Sequence, residues 1–118
     1  MPVWGVADSI VFQAGLTGQV TLTTGELVLT QDVTIDGDNT GDNKADITIS
    51  SNNANRIFAI IGKGTDADLL GLTLTNGKAV GAGGAIYTAS GTTLDILDTT
   101  VRDSTSSYSG GGIWSDGP

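Results

Sequence analysis

The 27 residues from Gly64 to Ser90 recur, imperfectly but without a gap, in Gly91 to Gly117. Laid over one another, the two segments share Gly64/Gly91, Thr65/Thr92, Asp68/Asp95, Leu70/Leu97, Thr73/Thr100, Gly83/Gly110, Gly84/Gly111 and Ile86/Ile113. Leu69/Ile96, Leu74/Val101 and Tyr87/Trp114 match in kind. A fixed period of this size means a stack of equivalent units, each too small to bury its own apolar face, so the chain is to be understood as a stack.

The same step reaches backward. Val20, Ile47, Leu74 and Val101 form one apolar column at intervals of 27, and Val33, Ile60, Tyr87 and Trp114 form a second. The expected organisation is a lead-in or N-terminal cap over residues 1–9, then a single domain over 10–118 with repeats 10–36, 37–63, 64–90 and 91–117. The first two repeats agree with the last two mainly in those columns, which leaves room for a register offset of a residue or two.

Within each unit, apolar residues alternate with Thr, Ser or Asp: Val20-Thr-Leu22-Thr, Val33-Thr-Ile35-Asp, Ile47-Thr-Ile49-Ser, Leu72-Thr-Leu74-Thr, Leu94-Asp-Ile96. Period-two alternation broken by Gly, Asn and Asp clusters predicts half-buried strands joined by turns. No apolar 3.6-residue spacing persists, and 18 glycines in 118 residues argue against a helix. Three short strands and three turns fill roughly 20 to 27 residues, one coil of a parallel β-helix. The fold class expected is therefore all-β, a solenoid of about four coils of 27 residues, about 19 Å tall at about 4.8 Å per coil.

Composition fits a thin core. Hydrophobic residues make up 38%, with only two Phe, two Tyr and two Trp, so stacked Ile, Leu and Val must do most of the filling. Thirteen acidic residues against five basic ones, with no basic cluster, remove the electrostatic footprint of nucleic-acid binding and oppose an anionic membrane surface. No segment is long and apolar enough to insert into a bilayer as a helix. The absence of Cys excludes disulfides and thiolate metal sites. Met1 lies close to the apparent strand Ser9-Ile-Val-Phe12, and Pro118 falls one residue after a complete repeat. Because terminal repeats of a solenoid normally carry a distinct cap, the chain is expected to be a piece of a longer protein.

Asp8-Ser-Ile-Val-Phe12, Gly25-Glu-Leu-Val-Leu29, Val33-Thr-Ile-Asp-Gly37, Ile47-Thr-Ile-Ser50, Asn55-Arg-Ile-Phe58, Leu72-Thr-Leu-Thr-Asn-Gly77 and Gly83-Gly-Ala-Ile-Tyr87 carry a resemblance across residues 8–117. This set resembles the secreted right-handed parallel β-helix repeat proteins of bacteria, among them autotransporter passengers and polymorphic outer-membrane-protein repeats. Their Gly-Gly-Ala-Ile signature is matched at Gly83–Ile86 and, as Gly-Gly-Gly-Ile, at Gly110–Ile113. The resemblance implies a right-handed coil and an extracellular or bacterial cell-surface location. For activity it implies little, since one such scaffold serves adhesins, surface layers and enzymes.

Asp36-Gly-Asp-Asn-Thr-Gly-Asp-Asn-Lys-Ala-Asp46 is the one segment whose spacing carries chemistry. Carboxylates at Asp36, Asp38, Asp42 and Asp46, with Gly37 and Gly41 to bend the chain, can gather hard oxygens for Ca²⁺, which takes six to eight. Position twelve from Asp36 is Ile47, so the bidentate Glu of an EF-hand is missing. The same residues also make a solvated turn held by Asx hydrogen bonds.

Three surface features remain. Thr21/Thr23, Thr48/Ser50 and Thr73/Thr75 form an outward row of the kind that can match an ice lattice, but solvated strands favour Thr anyway and the row ends at Arg102 and Asp103. Asp66, Asp68, Asp95, Asp98, Arg102 and Asp103 resemble the acid-rich face of polysaccharide-cleaving β-helices, yet without His and with one Arg they are expected to form a solvated face. Tyr87 and Trp114 follow inward Ile86 and Ile113, so they point outward, either as a ladder that stabilises the stack or as a flat surface for a glycan or a cell-surface protein. The glycines before them supply turns and close packing; without a following helix they make no phosphate site.

The function expected is a non-enzymatic extracellular structural or adhesive segment. The alternatives are a fragment of a carbohydrate-active β-helix enzyme with its site elsewhere, and a calcium-binding surface module. Open coil edges would also allow end-to-end self-association.

Overall fold

A computed structural model describes residues 8–13, 16–42 and 44–116. Among them the chain forms short strands and no helix, and every strand pairing is parallel. The first coil contributes β1 (Asp8–Val11), β2 (Gly18–Thr21) and β3 (Leu27–Leu29), and the second β4 (Val33–Asp36), β5 (Ile47–Ser50) and β6 (Phe58–Ile60). The third holds β7 (Asp66–Leu70), β8 (Leu72–Thr75), β9 (Lys78–Ala79) and β10 (Ile86–Thr88). The fourth holds β11 (Thr93–Leu97), β12 (Thr100–Arg102), β13 (Thr105–Ser106) and β14 (Ile113–Ser115).

Each coil places one strand on each of three sides. Side A runs β1-β4-β7-β11, side B β2-β5-β8-β12 and side C β3-β6-β10-β14, and the pair β9-β13 fills the B-to-C corner of the upper two coils. The chain is a parallel β-solenoid of about four turns with a spacing of about 27 residues.

Alternation decides which residues go inside. In β4 and β8 the pattern Val33-Thr-Ile35 and Leu72-Thr-Leu74 buries the aliphatic positions and leaves Thr34 and Thr73 half-exposed. The core gathers Val33, Ile35, Ile47, Ile49, Ile57, Phe58, Ile60, Ala67, Leu69, Leu72, Leu74, Ala85 and Ile86, all from the second and third coils. Each has a coil above and a coil below, whereas inward residues of the first and last coils, such as Ile10, Val20, Ile96 and Ile113, are more exposed.

The upper half keeps the repeat read from the sequence. Thr93 stands opposite Asp66, Thr100 opposite Thr73, Thr105 opposite Lys78 and Ile113 opposite Ile86, a step of 27 at every strand. In the lower half the apolar columns need correction. Val20 lies opposite Ile49, while Ile47 lies opposite Gly18 and Leu72. Ile60 stands opposite Leu29 and Thr88, one residue away from Tyr87, and Val33 belongs to side A opposite Asp8 and Ala67.

Unequal corners are the cause. The A-to-B corner of the second coil is the acidic loop between Asp36 and Ile47, and in the third coil it is Gly71 alone. Gly71 sits at φ 62, and a Cβ there would lie 2.4 Å from the Asp38 nitrogen, so only Gly lets the third coil turn so tightly over the second. After side B the turns use left-handed Asn52, Asn53, Asn76 and Asp103, residue types that tolerate φ > 0.

Candidate functional site

Side C carries an outward row of Val28, Ala59, Tyr87 and Trp114, set by the register of its four strands. Tyr87 and Trp114 are therefore strand neighbours on one face, as alternation after Ile86 and Ile113 predicts. Their polar ends meet on one carboxylate. The Tyr87 hydroxyl donates to Asp116 Oδ2, and Trp114 Nε1 donates to Asp116 Oδ1 at 2.8 Å. Those two bonds hold Asp116 below the usual carboxylate range, the Tyr87 bond contributing most. The same bond pushes the Tyr87 phenol up, with burial and the Asp116 charge adding to it.

Arg56 flanks Tyr87, with its guanidinium carbon 5.2 Å from the centre of the ring, a cation–π distance. The guanidinium is fixed by three further bonds: Nε to the Gly83 carbonyl at 2.9 Å, one terminal nitrogen to the Ala82 carbonyl at 2.7 Å and the other to Glu26 Oε2 at 2.9 Å. Glu26 belongs to the first coil, Arg56 to the second and Gly83 to the third, so this side chain staples three coils together. Both aromatic rings are consequently held in place and half-exposed.

Asp116 and Arg56 escaped the sequence reading, although each had a signal. Trp114 and Asp116 are two apart and so share a strand face. Arg56 lies one 27-residue step before Gly83, whose carbonyl it binds.

The Gly-Gly corners beside these strands have a steric reason. A Cβ on Gly84 would lie 2.1 Å from the Gly111 carbonyl oxygen and 2.4 Å from that of Thr105. Successive coils approach there closer than any side chain permits.

In the acidic loop the structure brings together Asp38, Asp42 and Asp46, a carboxylate oxygen of each lying within 4.8 Å of the others. Asp36 is not part of this group; its Oδ1 accepts the Asp38 N–H at 3.0 Å. Hydrogen bonds organise the rest. Asp46 Oδ2 accepts from Asn39 N, Thr40 N and Thr40 Oγ1, Asp38 Oδ1 from Gly41 N, and Asp42 Oδ1 from Lys44 N. Asn39 Nδ2 donates to the Gln13 and Leu16 carbonyls and pins the loop to the first coil. Three carboxylates can supply part of a calcium shell, which carbonyls and waters would complete, and the same oxygens accept the hydrogen bonds of Asx turns.

A second acidic group, Asp66, Asp68 and Asp95, lies on the outer face of side A. Asp68 and Asp95 are register partners and border a shallow groove with Thr34, Leu69, Leu70 and Leu97. Burial raises the Asp68 carboxyl first, and the neighbouring Asp66 and Asp95 raise it further, against the Thr34 hydroxyl that donates to it at 3.3 Å. Two carboxyls so placed can share a proton. Asp98 and Asp103 stand apart from this group at left-handed corner positions, and Arg102 pairs with Asp103 at 2.8 Å.

No family model, curated protein or solved structure matches this chain.

Proposed function

We propose that this solenoid is a non-enzymatic structural or adhesive segment of an extracellular protein, related in kind to the β-helix repeats of bacterial secreted and surface proteins. Its contact surface is the Tyr87–Trp114 face, offered to a glycan or a cell-surface protein. One observation carries the reading: two neighbouring aromatic rings on an outer sheet face are fixed by a single carboxylate and a stapled arginine. A flat apolar surface held in advance loses little side-chain freedom on binding, which is the usual obstacle to recognition by a shallow face. Arg56 and Asp116 at its borders add charged groups that can meet sugar hydroxyls.

A glycan array and a cell-surface binding assay, each run with the wild type and with Trp114→Ala, test this. Trp114 lies in the last coil, so its loss leaves the core of the second and third coils intact. Binding by the wild type that falls about tenfold or more in Trp114→Ala is the expected result. Undiminished binding by the variant would move the contact surface elsewhere, and no binding by the wild type to either target would end the adhesive reading.

A further inference from the structure

The turn that leaves side B of the third coil joins two requirements at neighbouring residues. Asn76 sits at φ 56, in the left-handed region where Asn is among the few side chains that fit. A Cβ on Gly77 would lie 2.2 Å from the Gly84 carbonyl oxygen, so this position admits Gly alone. Packing has thus set Asn directly before Gly, the one such pair in the chain. One 27-residue step on, the fourth coil carries Asp103-Ser104 at the same turn, with Asp103 at φ 53.

An Asn before Gly is the sequence in which a backbone nitrogen most readily attacks the preceding side-chain amide. The Gly77 nitrogen bonds to Asn76 Cγ and loses its proton, the Cγ–Nδ2 bond breaks, and ammonia leaves a five-membered succinimide behind. Water then opens the ring at either carbonyl. Breaking the new N–Cγ bond gives aspartate; breaking the original peptide bond gives isoaspartate, whose chain runs through the side chain and is one backbone atom longer.

The stack resists this chemistry. In the left-handed conformation ψ is about +47°, which turns the Gly77 nitrogen away from Asn76 Cβ. Swinging it round breaks three hydrogen bonds to neighbouring coils. Gly77 N–H donates to Ser104 Oγ at 3.1 Å, the Gly77 carbonyl accepts from Thr105 N–H at 3.0 Å, and the Asn76 carbonyl accepts from Asn53 N–H at 2.8 Å.

We propose that Asn76 is a deamidation site held shut by the coils on either side of it, and that its isoaspartate product keeps the turn from closing again. Aspartate itself fits this corner, as Asp103 shows. An added backbone atom does not, because Gly77 already lies against the Gly84 carbonyl and the strands that follow, β9 and β10, keep a step of 27 to β13 and β14. An opening of the fourth coil from the third is thereby recorded in the covalent chain.

Mass spectrometry of proteolytic fragments after incubation at mildly alkaline pH tests the site. Folded wild type should gain one mass unit at Asn76 at least about tenfold more slowly than the free peptide of residues 72–80, because the reaction needs a local opening. Ser104→Ala, which leaves Gly77 N–H without its acceptor, should speed the folded protein about threefold or more. Reaction of the folded wild type at the peptide's rate would overturn the shut site. A Ser104→Ala variant no faster than the wild type would overturn the part given to the fourth coil. The isoaspartate form, prepared in urea and separated by ion exchange, should melt well below Asn76→Asp, which should stay within a few degrees of the wild type. Both forms carry the same added charge, so equal melting temperatures would overturn the claim that the longer backbone keeps the turn open.

Discussion

Asp68 and Asp116 stand on the outer faces of adjacent sides, and their surroundings push them in opposite directions. Asp68 is raised, by burial first and then by Asp66 and Asp95. Asp116 is lowered, by the Tyr87 hydroxyl first and then by Trp114 Nε1. A carboxyl raised in the folded state favours folding once protonated, so its contribution is fully present below the unfolded value and is lost as pH rises through the folded one. A lowered carboxyl contributes above the unfolded value and loses that contribution as pH falls through the folded one. Acidification from neutrality should therefore first stabilise the protein slightly, as Asp68 takes up a proton, and then destabilise it below the ordinary carboxylate range as Asp116 lets go of its two donors. Asp68→Asn should raise the melting temperature at pH 7 and erase the early gain. A melting temperature that falls monotonically with pH in the wild type, and is unmoved at pH 7 by the substitution, would contradict this assignment.

Strand alternation places Ile49 inside and Thr48 outside within β5. Ile49→Asp puts an unpaired charge between Val20 and Leu74, at a cost of roughly several kcal/mol, comparable with the ~5–15 kcal/mol that holds most domains. That variant should be unfolded at 25 °C by circular dichroism, while Thr48→Asp should melt within a few degrees of the wild type. Equal losses would mean that the two faces are misassigned. This contrast was open to sequence reasoning because pleat geometry is local: Thr48 and Ile49 need no knowledge of their neighbours to face opposite ways. The constant step from the third coil to the fourth was visible for a related reason, since their corners have equal lengths. Below that, the pairing of Val20 with Ile49 was hidden, because corner length decides register and nothing in Asp36–Asp46 announces how many residues the loop uses before β5 begins. The aromatic pair was found from the 27-residue column and from alternation after Ile86 and Ile113. Its fixation by Asp116 and Arg56 was missed because it joins residues from three coils, contacts that exist only once the stack has formed.

Among the described residues the buried core lies in the two middle coils, and the inward positions of the first and fourth coils are more exposed. In a stack of this kind stability is close to a sum over coils and the contacts between neighbours. Tandem duplication of residues 64–90 should insert one more coil with both faces covered, keep every strand in register, and raise the melting temperature. An inserted coil that lowers it, or that exposes its amides to rapid hydrogen exchange, would show that the third coil depends on its particular neighbours. The step of 27 shared by all strand pairs of the third and fourth coils has a bearing on ancestry as well as on stability. A recombination event that adds or removes one such unit leaves every inward position inward and every corner closed. A lineage built this way can vary its length in whole coils while point substitutions go on altering the outer face, so reach and surface chemistry are free to evolve separately.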